Sequence, residues 1–427
     1  MNHLSRFSSP VLLCFLALSA AAQPSFKAFH ANGIYRTGEF AGWSVSGNTQ
    51  PGIVWRYAVR ANNNALVQTG ILDFSNDELS IHYRSDVPTM VYVEVTATGP
   101  GVPTPPPAPI HLGAAIAPNK LQPAIPRPQD FDAFWDGKLK ALSAIPVKPE
   151  LTPLPAVRPG VGFFTVRLDS VGSHVQGYLA RPAQEGKLPA LVLYQSAGVK
   201  ALDTKNVNDR AAEGWLVFSV DSHDMPPAEA TGVSTSYATI GYTNRETSYF
   251  LNMYLRDARA IDYIRSRPDW DGKTIVLMGT SMGGQQSLVT AALRPEVTAV
   301  LVNEPAGADL NGAEAGRKPG YPYWPSDNAE VMATAPYFDP VNFASRIKAP
   351  VLAAIGFIDT TSPPAGIWTV LNQIPGAKEA ICMVDSDHNN RTPEKQGAWT
   401  ARSKEVLGML LQKGAFTPDE SLTRASN

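Results

Sequence analysis

Ser281 is the residue around which chemistry can be built. It stands in Gly279-Thr280-Ser281-Met282-Gly283, a Gly-x-Ser-x-Gly pentad, with a further glycine at 284. The run Thr274-Ile275-Val276-Leu277-Met278 before it is apolar and β-branched, and residues 285–294 after it read as a helix. A serine on a sharp strand-to-helix turn presents its hydroxyl at the top of a sheet, next to a helix N-terminus. The turn strains the serine backbone and brings neighbouring segments close. Glycines two residues to either side remove the Cβ atoms that would collide. The chemistry to expect is nucleophilic attack by a hydroxyl on a carbonyl, which needs a base, an acid to orient the base, and donors for the oxyanion.

Where a serine stands on such a turn, its partners follow in the order acid, then histidine. Of seven histidines, only His388 lies beyond Ser281. It sits in Asp385-Ser386-Asp387-His388-Asn389-Asn390, after the apolar run 380–384, where a loop beyond a last strand would hang over the serine. The acid must hold the imidazole and stabilise its charged form. Asp359 follows the strand-like run 350–356 and precedes Thr360-Thr361-Ser362-Pro363-Pro364. Glu304, after the run ending at Asn303, is the alternative. Asp385 and Asp387 are too near His388 in sequence to reach the far side of its ring. Two backbone donors are needed for the oxyanion. One is the N–H of Met282; the other is expected from Ser196-Ala197-Gly198, with Ala197 the choice.

Other chemistry finds little support. His223 in Asp221-Ser222-His223-Asp224 lacks a spaced third ligand, so no metal site is read there. No Gly-rich phosphate loop follows a strand. Cys382 lies within an apolar run and reads as a buried small hydrophobe. No cofactor is expected.

The elements that must position these residues fall into two units. The chain has 427 residues, 44% hydrophobic and 17% charged, with a formal net charge of −2. That size suits two cores, and the charge gives no basic field for nucleic acid or an anionic membrane. Residues 1–22 read as a secretory signal: Arg6, a short apolar stretch over 11–18, then Ala20-Ala21-Ala22. The stretch is too short to span a bilayer. The other cysteine, Cys14, falls inside the leader, so the mature chain has no internal disulfide. Residues 23–98 alternate strand formers with Gly, Asn and Pro turns and predict a small β-sandwich, with Trp43 and Trp55 as core or, less simply, as a sugar grip. The proline-dense 99–111 predicts an interdomain linker.

Residues 112–415 predict the α/β unit. Asp130 can cap a helix that puts Phe131, Phe134 and Trp135 on one face. The runs 163–170 and 175–182 read as a hairpin turned at Gly172-Ser173. Six more strand-like runs follow, at 189–195, 215–221, 274–279, 297–303, 350–356 and 380–384. Helices lie between most of them, the clearest over 246–267 with an apolar stripe of Phe250, Met253, Tyr254, Ala258, Ile261 and Ile264. This pattern argues for a mostly parallel sheet covered on both faces. Residues 396–413 read as the closing helix and 416–427 as a loose tail.

Taken together, these motifs resemble the acetyl xylan esterase / cephalosporin C deacetylase family of α/β-hydrolases, over roughly 112–413. The likeness rests on Pro128-Gln129-Asp130-Phe131-Asp132-Ala133-Phe134-Trp135 and on Gly279–Gly284. It also rests on Tyr337-Phe338-Asp339, on Asp359 with Pro363-Pro364, and on His388. The resemblance implies an α/β-hydrolase fold, a triad of Ser281, Asp359 and His388, and oxyanion donors at Met282 and near Ala197. The chain departs from the family pattern in four places. Met282 stands where the family has Gln, and Asn389 where it has Glu. Ser222-His223-Asp224 stands near the missing Arg-Gly-Gln, and Ala197 replaces a tyrosine. These departures leave the acyl preference and the family's ring-shaped hexamer open.

The reading that follows is an exported serine esterase acting on short acyl esters, with acetylated sugars as the substrate by analogy. The alternatives are a peptidase of the same fold, whose N-terminal region here is far too short for a gating propeller, and a carbohydrate-binding protein with an inactive hydrolase domain.

Overall fold

A computed structural model of the protein describes residues 23–48, 50–75 and 78–420. The expected leader over 1–22 lies outside the described residues. Eight strands come first: β1 (Ser25–Ala28), β2 (Ile34–Tyr35), β3 (Phe40–Ser46), β4 (Val54–Ala61), β5 (Ala65–Ile71), β6 (Ser80–Arg84), β7 (Thr89–Thr98) and β8 (Ile110–Ile116). They form a three-stranded sheet, β1-β3-β6, and a five-stranded sheet, β2-β8-β7-β4-β5. Period-two burial explains the pairing: Trp43, Trp55, Val59, Ile81, Val91, Val93 and Val95 point into one shared core. Trp43 and Trp55 are 5% and 3% exposed, so neither can lie against a sugar.

The proline-dense stretch is not an interdomain linker. Ile110–Ile116 pairs antiparallel with Thr89–Thr98, from Thr89 opposite Ile116 to Val95 opposite Ile110. The prolines therefore sit in a loop joining two neighbouring strands of one sheet, and the sandwich runs on to Ile116. Proline's missing N–H keeps such a segment out of the ladder, but it does not separate the apolar strands on either side.

The second unit contains α1 (Phe131–Ser143), β9 (Glu150–Leu154), β10 (Val161–Ser170), β11 (Ser173–Pro182), β12 (Leu188–Tyr194), α2 (Thr204–Ala212), β13 (Leu216–Val220), α3 (Tyr249–Ser266), β14 (Trp270–Thr280) and α4 (Met282–Leu293). It ends with β15 (Ala299–Asn303), α5 (Ala329–Thr334), α6 (Pro340–Phe343), β16 (Val351–Gly356), α7 (Pro364–Gln373), β17 (Lys378–Met383) and α8 (Gly397–Lys413). The sheet order is β17-β16-β15-β14-β12-β13-β11-β10-β9. Neighbours from β13 to β17 run parallel, while β9, β10 and β11 are antiparallel. Residues of α1, α3, α4 and α7 fill the core on one face, and those of α2 and α8 the core on the other. This is the α/β-hydrolase fold, preceded by a small all-β sandwich.

Two local expectations need correction. Asp130 precedes α1, but its side chain makes no cap bond; it accepts from Tyr337 Oη at 2.5 Å and Arg245 Nη1 at 2.7 Å. The start of the expected loose tail is tied down. Phe416 is buried against the α8 side of the sheet, and Asp419 N–H donates to Glu379 Oε2 at 2.8 Å.

The sandwich leans on the sheet edge that matters for the site. A Cβ on Gly113 would come within 2.6 Å of Phe357 Cβ, so only glycine lets β8 approach the loop after β16 this closely. At the β4–β5 turn, Asn64 Nδ2 donates to Gly316 O at 3.2 Å, and Asn62 O accepts from Lys318 N at 3.2 Å.

Candidate active site

Parallel register brings the C-terminal ends of β14, β15, β16 and β17 to one edge. Thr280 lies opposite Asn303, Asn303 opposite Ala354, and Gly356 opposite Met383. The loops that leave these ends carry Ser281, Glu304, Asp359 and His388.

Ser281 joins β14 to α4 with φ 59° and ψ −125°, in the left-handed half of backbone space that a side chain seldom enters. The strain is held by neighbours. Ser281 N–H donates to Asn303 O at 3.0 Å, and its carbonyl accepts from Gln285 N and Ala306 N, each at 3.0 Å. A Cβ on Gly279 would lie 2.2 Å from the backbone of Gly283, and one on Gly283 would lie 2.2 Å from Tyr194 O. The pentad's glycines are therefore fixed by close approach of three backbone segments: β14, α4 and the end of β12.

His388 bridges the two groups expected of it. Its Nε2 lies 2.9 Å from Ser281 Oγ, and its Nδ1 lies 2.7 Å from Asp359 Oδ2. A carboxylate can only accept, so Nδ1 carries the proton and Nε2 is left to accept from the serine hydroxyl. Asp359 is itself held in place: its Oδ1 accepts the N–H groups of Thr361 and Ser362, each at 2.8 Å. Its side chain has no exposure, and that of His388 retains 12%. Asp387 serves the loop, its Oδ1 accepting from Asn389 N at 2.9 Å and Asn390 N at 2.6 Å.

Glu304, the alternative acid, is buried beside this trio but turned elsewhere. Its Oε2 pairs with Arg391 Nη2 at 2.7 Å, and its Oε1 accepts from Ser386 Oγ at 2.9 Å. Burial pushes its pKa above the ordinary carboxyl value, and Arg391 pulls it back. The same Arg391 nitrogen lies 3.5 Å from both ring nitrogens of His388. Ligand atoms of Glu304, Asp359 and His388 lie within 4.8 Å of one another, a spacing a metal ion could use. However, both imidazole nitrogens are engaged by Ser281 and Asp359, and the cation nearest Glu304 is Arg391.

The two expected oxyanion donors stand at Met282 and in the loop after β12. Met282 is the first residue of α4, so its N–H has no acceptor within the helix. Ala197 lies half-buried in the loop 195–198, beside the elbow. Its neighbours are tightly tied: Gly198 N–H donates to Tyr237 Oη at 3.2 Å, and Gln195 O accepts from Gln286 Nε2 at 2.9 Å. Sequence reasoning set His223 aside as part of a polar loop and named neither Tyr237, Gln286 nor Tyr321. The last three stand in no motif, and only the folded chain brings them to the elbow. His223 is fully buried, and burial holds its pKa down at about 4, so the imidazole is neutral near pH 7. Cys382 is a free thiol whose pKa burial pushes up to about 12, which makes it a poor nucleophile.

The model of the acetyl xylan esterase (AXE1) family matches residues 119–402, starting just past the sandwich's last strand. The chain belongs to the acetyl xylan esterase family. As a member it is a carboxylic ester hydrolase. An acetyl esterase, Axe7A, from Xylanibacter ruminicola is 32% identical over 320 residues, 71% of each chain. Among solved structures, the acetyl xylan esterase from Paenibacillus sp. R4 superposes with a TM-score of 0.60 at 23% identity. It covers 67% of this esterase and 98% of its own chain. Acetyl xylan esterase 1 from Thermoanaerobacterium sp. JW/SL YS485 gives a TM-score of 0.56 at 22% identity, covering 66% and 96%. These structural likenesses speak to the fold. Among the described residues of the esterase, no helix is long and apolar enough to cross a membrane.

Proposed function

We propose that the protein is an exported serine esterase that removes acetyl groups from acetylated carbohydrate. The observation that carries the reading is His388 held between Asp359 and Ser281 at 2.7 and 2.9 Å. Ser281 Oγ attacks the ester carbonyl while His388 Nε2 takes its proton. Asp359 holds the imidazole by Nδ1 and stabilises the imidazolium. The oxyanion is received by the N–H groups of Met282 and Ala197. His388 then gives its proton to the departing alcohol, leaving an acetyl-Ser281 ester. Water enters, loses a proton to His388, and releases acetate.

Membership of the acetyl xylan esterase family and the likeness to Axe7A favour acetyl as the acyl group and a sugar hydroxyl as the leaving group. The leader-like pattern over residues 1–22 favours export.

Acetate release from acetylated xylan by wild type and by Ser281→Ala tests the reading. The variant should turn over about 10⁶-fold more slowly. Equal release by both would remove Ser281 from the mechanism. Faster cleavage of peptide anilides than of p-nitrophenyl acetate would favour the peptidase alternative. Failure of a fluorophosphonate to label Ser281 would favour an inactive hydrolase domain.

A further inference from the structure

The loop that carries Ala197 is pinned on both flanks by two consecutive residues. β13 ends at Val220 and is followed by Asp221, Ser222 and His223, all fully buried. Ser222 Oγ donates to Gln195 O at 3.3 Å and also meets Gln286 Oε1 at 3.2 Å. The His223 ring Nε2 lies 3.4 Å from Gly198 O, and its Nδ1 lies 2.7 Å from Tyr249 Oη. A carbonyl can only accept, so Nε2 carries the proton of the neutral ring and Nδ1 accepts from the Tyr249 hydroxyl. Gln195 and Gly198 are the residues on either side of Ser196-Ala197. Their carbonyls are thus held by side chains from the neighbouring strand end.

A second set of contacts joins this loop to the other oxyanion donor. Gly198 N–H donates to Tyr237 Oη at 3.2 Å, and Tyr237 Oη meets Tyr321 Oη at 2.9 Å. Tyr321 Oη in turn donates to Met282 Sδ at 3.2 Å. The His223 and Tyr237 rings pack edge to face, with centroids 4.6 Å apart. Gln286 closes the circuit within α4, its Nε2 bonding both Gln195 O at 2.9 Å and Met282 O at 3.2 Å. Each link is a neutral hydrogen bond in a water-poor setting, where chains of bonds reinforce one another.

We infer that Ser222, His223 and Tyr237 are positioning residues that hold the Ala197 N–H at the distance from the Met282 N–H that a tetrahedral oxyanion requires. This rests on the esterase mechanism above and deepens it. The chain lacks the Arg-Gly-Gln that its resemblance would place near 222–224. Ser222-His223 stands there instead and fastens the loop at the Gln195 and Gly198 carbonyls. An oxyanion donor acts on the transition state more than on the bound ester. Loosening the loop should therefore lower kcat and leave KM nearly unmoved, whereas a merely structural role would lower thermal stability without selecting between the two.

The test uses the full-length esterase with p-nitrophenyl acetate, and a trifluoromethyl ketone whose hemiketal oxyanion fills the same hole. His223→Leu removes the bond to Gly198 O. Tyr237→Phe removes the acceptor of Gly198 N–H and should leave the fold intact, so it decides the matter if the leucine variant does not fold. The expected result is a kcat lower by about 30- to 100-fold, ketone inhibition weakened in parallel, and KM within about threefold. His223→Gln offers an amide N–H to Gly198 O and an oxygen to Tyr249, and should recover about tenfold or more over leucine. Folded variants that keep wild-type kcat and ketone binding overturn the inference. So does a loss that appears in KM alone. A wild-type chain that neither hydrolyses the ester nor binds the ketone sinks the esterase mechanism, and this inference with it.

Discussion

The loops after β15 and β16 each begin with a short path to a fully buried carboxylate, yet the two carboxylates have separate employments. Asp359 gives one oxygen to two backbone N–H groups of its own loop and the other to His388. Glu304 leaves a left-handed backbone position, φ 47°, and spends its oxygens on Arg391 and Ser386. Both acids lie within ligand distance of the imidazole. Proximity and burial therefore do not select the acid of the trio. What selects it is which oxygen remains unclaimed and faces Nδ1. The second acid instead balances the Arg391 guanidinium, which lies 3.5 Å from both ring nitrogens.

Four substitutions test this contrast, from the largest effect to the smallest. Asp359→Asn should lower kcat by about 10⁴-fold with little change in KM, because an amide favours the wrong imidazole tautomer. Steady-state kinetics on p-nitrophenyl acetate measures it, and a loss below tenfold would mean that Glu304 can substitute. Arg391→Ala leaves Glu304 buried without its partner and should cost about 3 kcal/mol of stability, read by urea unfolding. An unchanged midpoint would make the pair inessential to the fold.

Glu304→Gln should reduce kcat by less than about tenfold, far short of the Asp359 effect. A loss as large as that of Asp359→Asn would erase the distinction between the two loops. The smallest effect concerns pH. Burial raises the Asp221 carboxyl to about 7, against the His223 N–H bond and Arg256, which lower it. The folded chain then binds this proton more tightly than the unfolded chain. The associated stability is complete below about pH 4 and is lost as pH rises through about 7. Asp221→Asn keeps an oxygen for His223 N–H and does not ionise. Its Tm advantage over wild type should therefore grow between about pH 5 and 8. A constant difference across that range would show that Asp221 is not the group titrating.

Much of the site was legible because its parts obey local rules. The elbow shows in the chain since three backbones must touch at Gly279 and Gly283, and only glycine permits that. His388 followed from chain order, and six strand positions followed from apolar runs of the right length. The sandwich was read less completely. Strands 40–46 and 110–116 carry small residues such as Gly42, Gly113 and Ala114, and they pair across two intervening strands and across the proline-dense loop, respectively. Proline density over 99–109 signalled an interruption of hydrogen bonding, not a boundary between cores.

By itself, the order of residues determined the elbow that carries Ser281, the late loop that carries His388 and the alternation of strand and helix, because each is set by steric or periodic constraints acting over a few positions. Tertiary structure alone decided which buried carboxylate meets the imidazole, that Arg391 approaches both ring nitrogens, and that Ser222, His223, Tyr237 and Tyr321 tie the loop after β12 to its neighbours. Those contacts join side chains from separate sheet ends, and their geometry exists only once the parallel register has brought the strand termini to one edge.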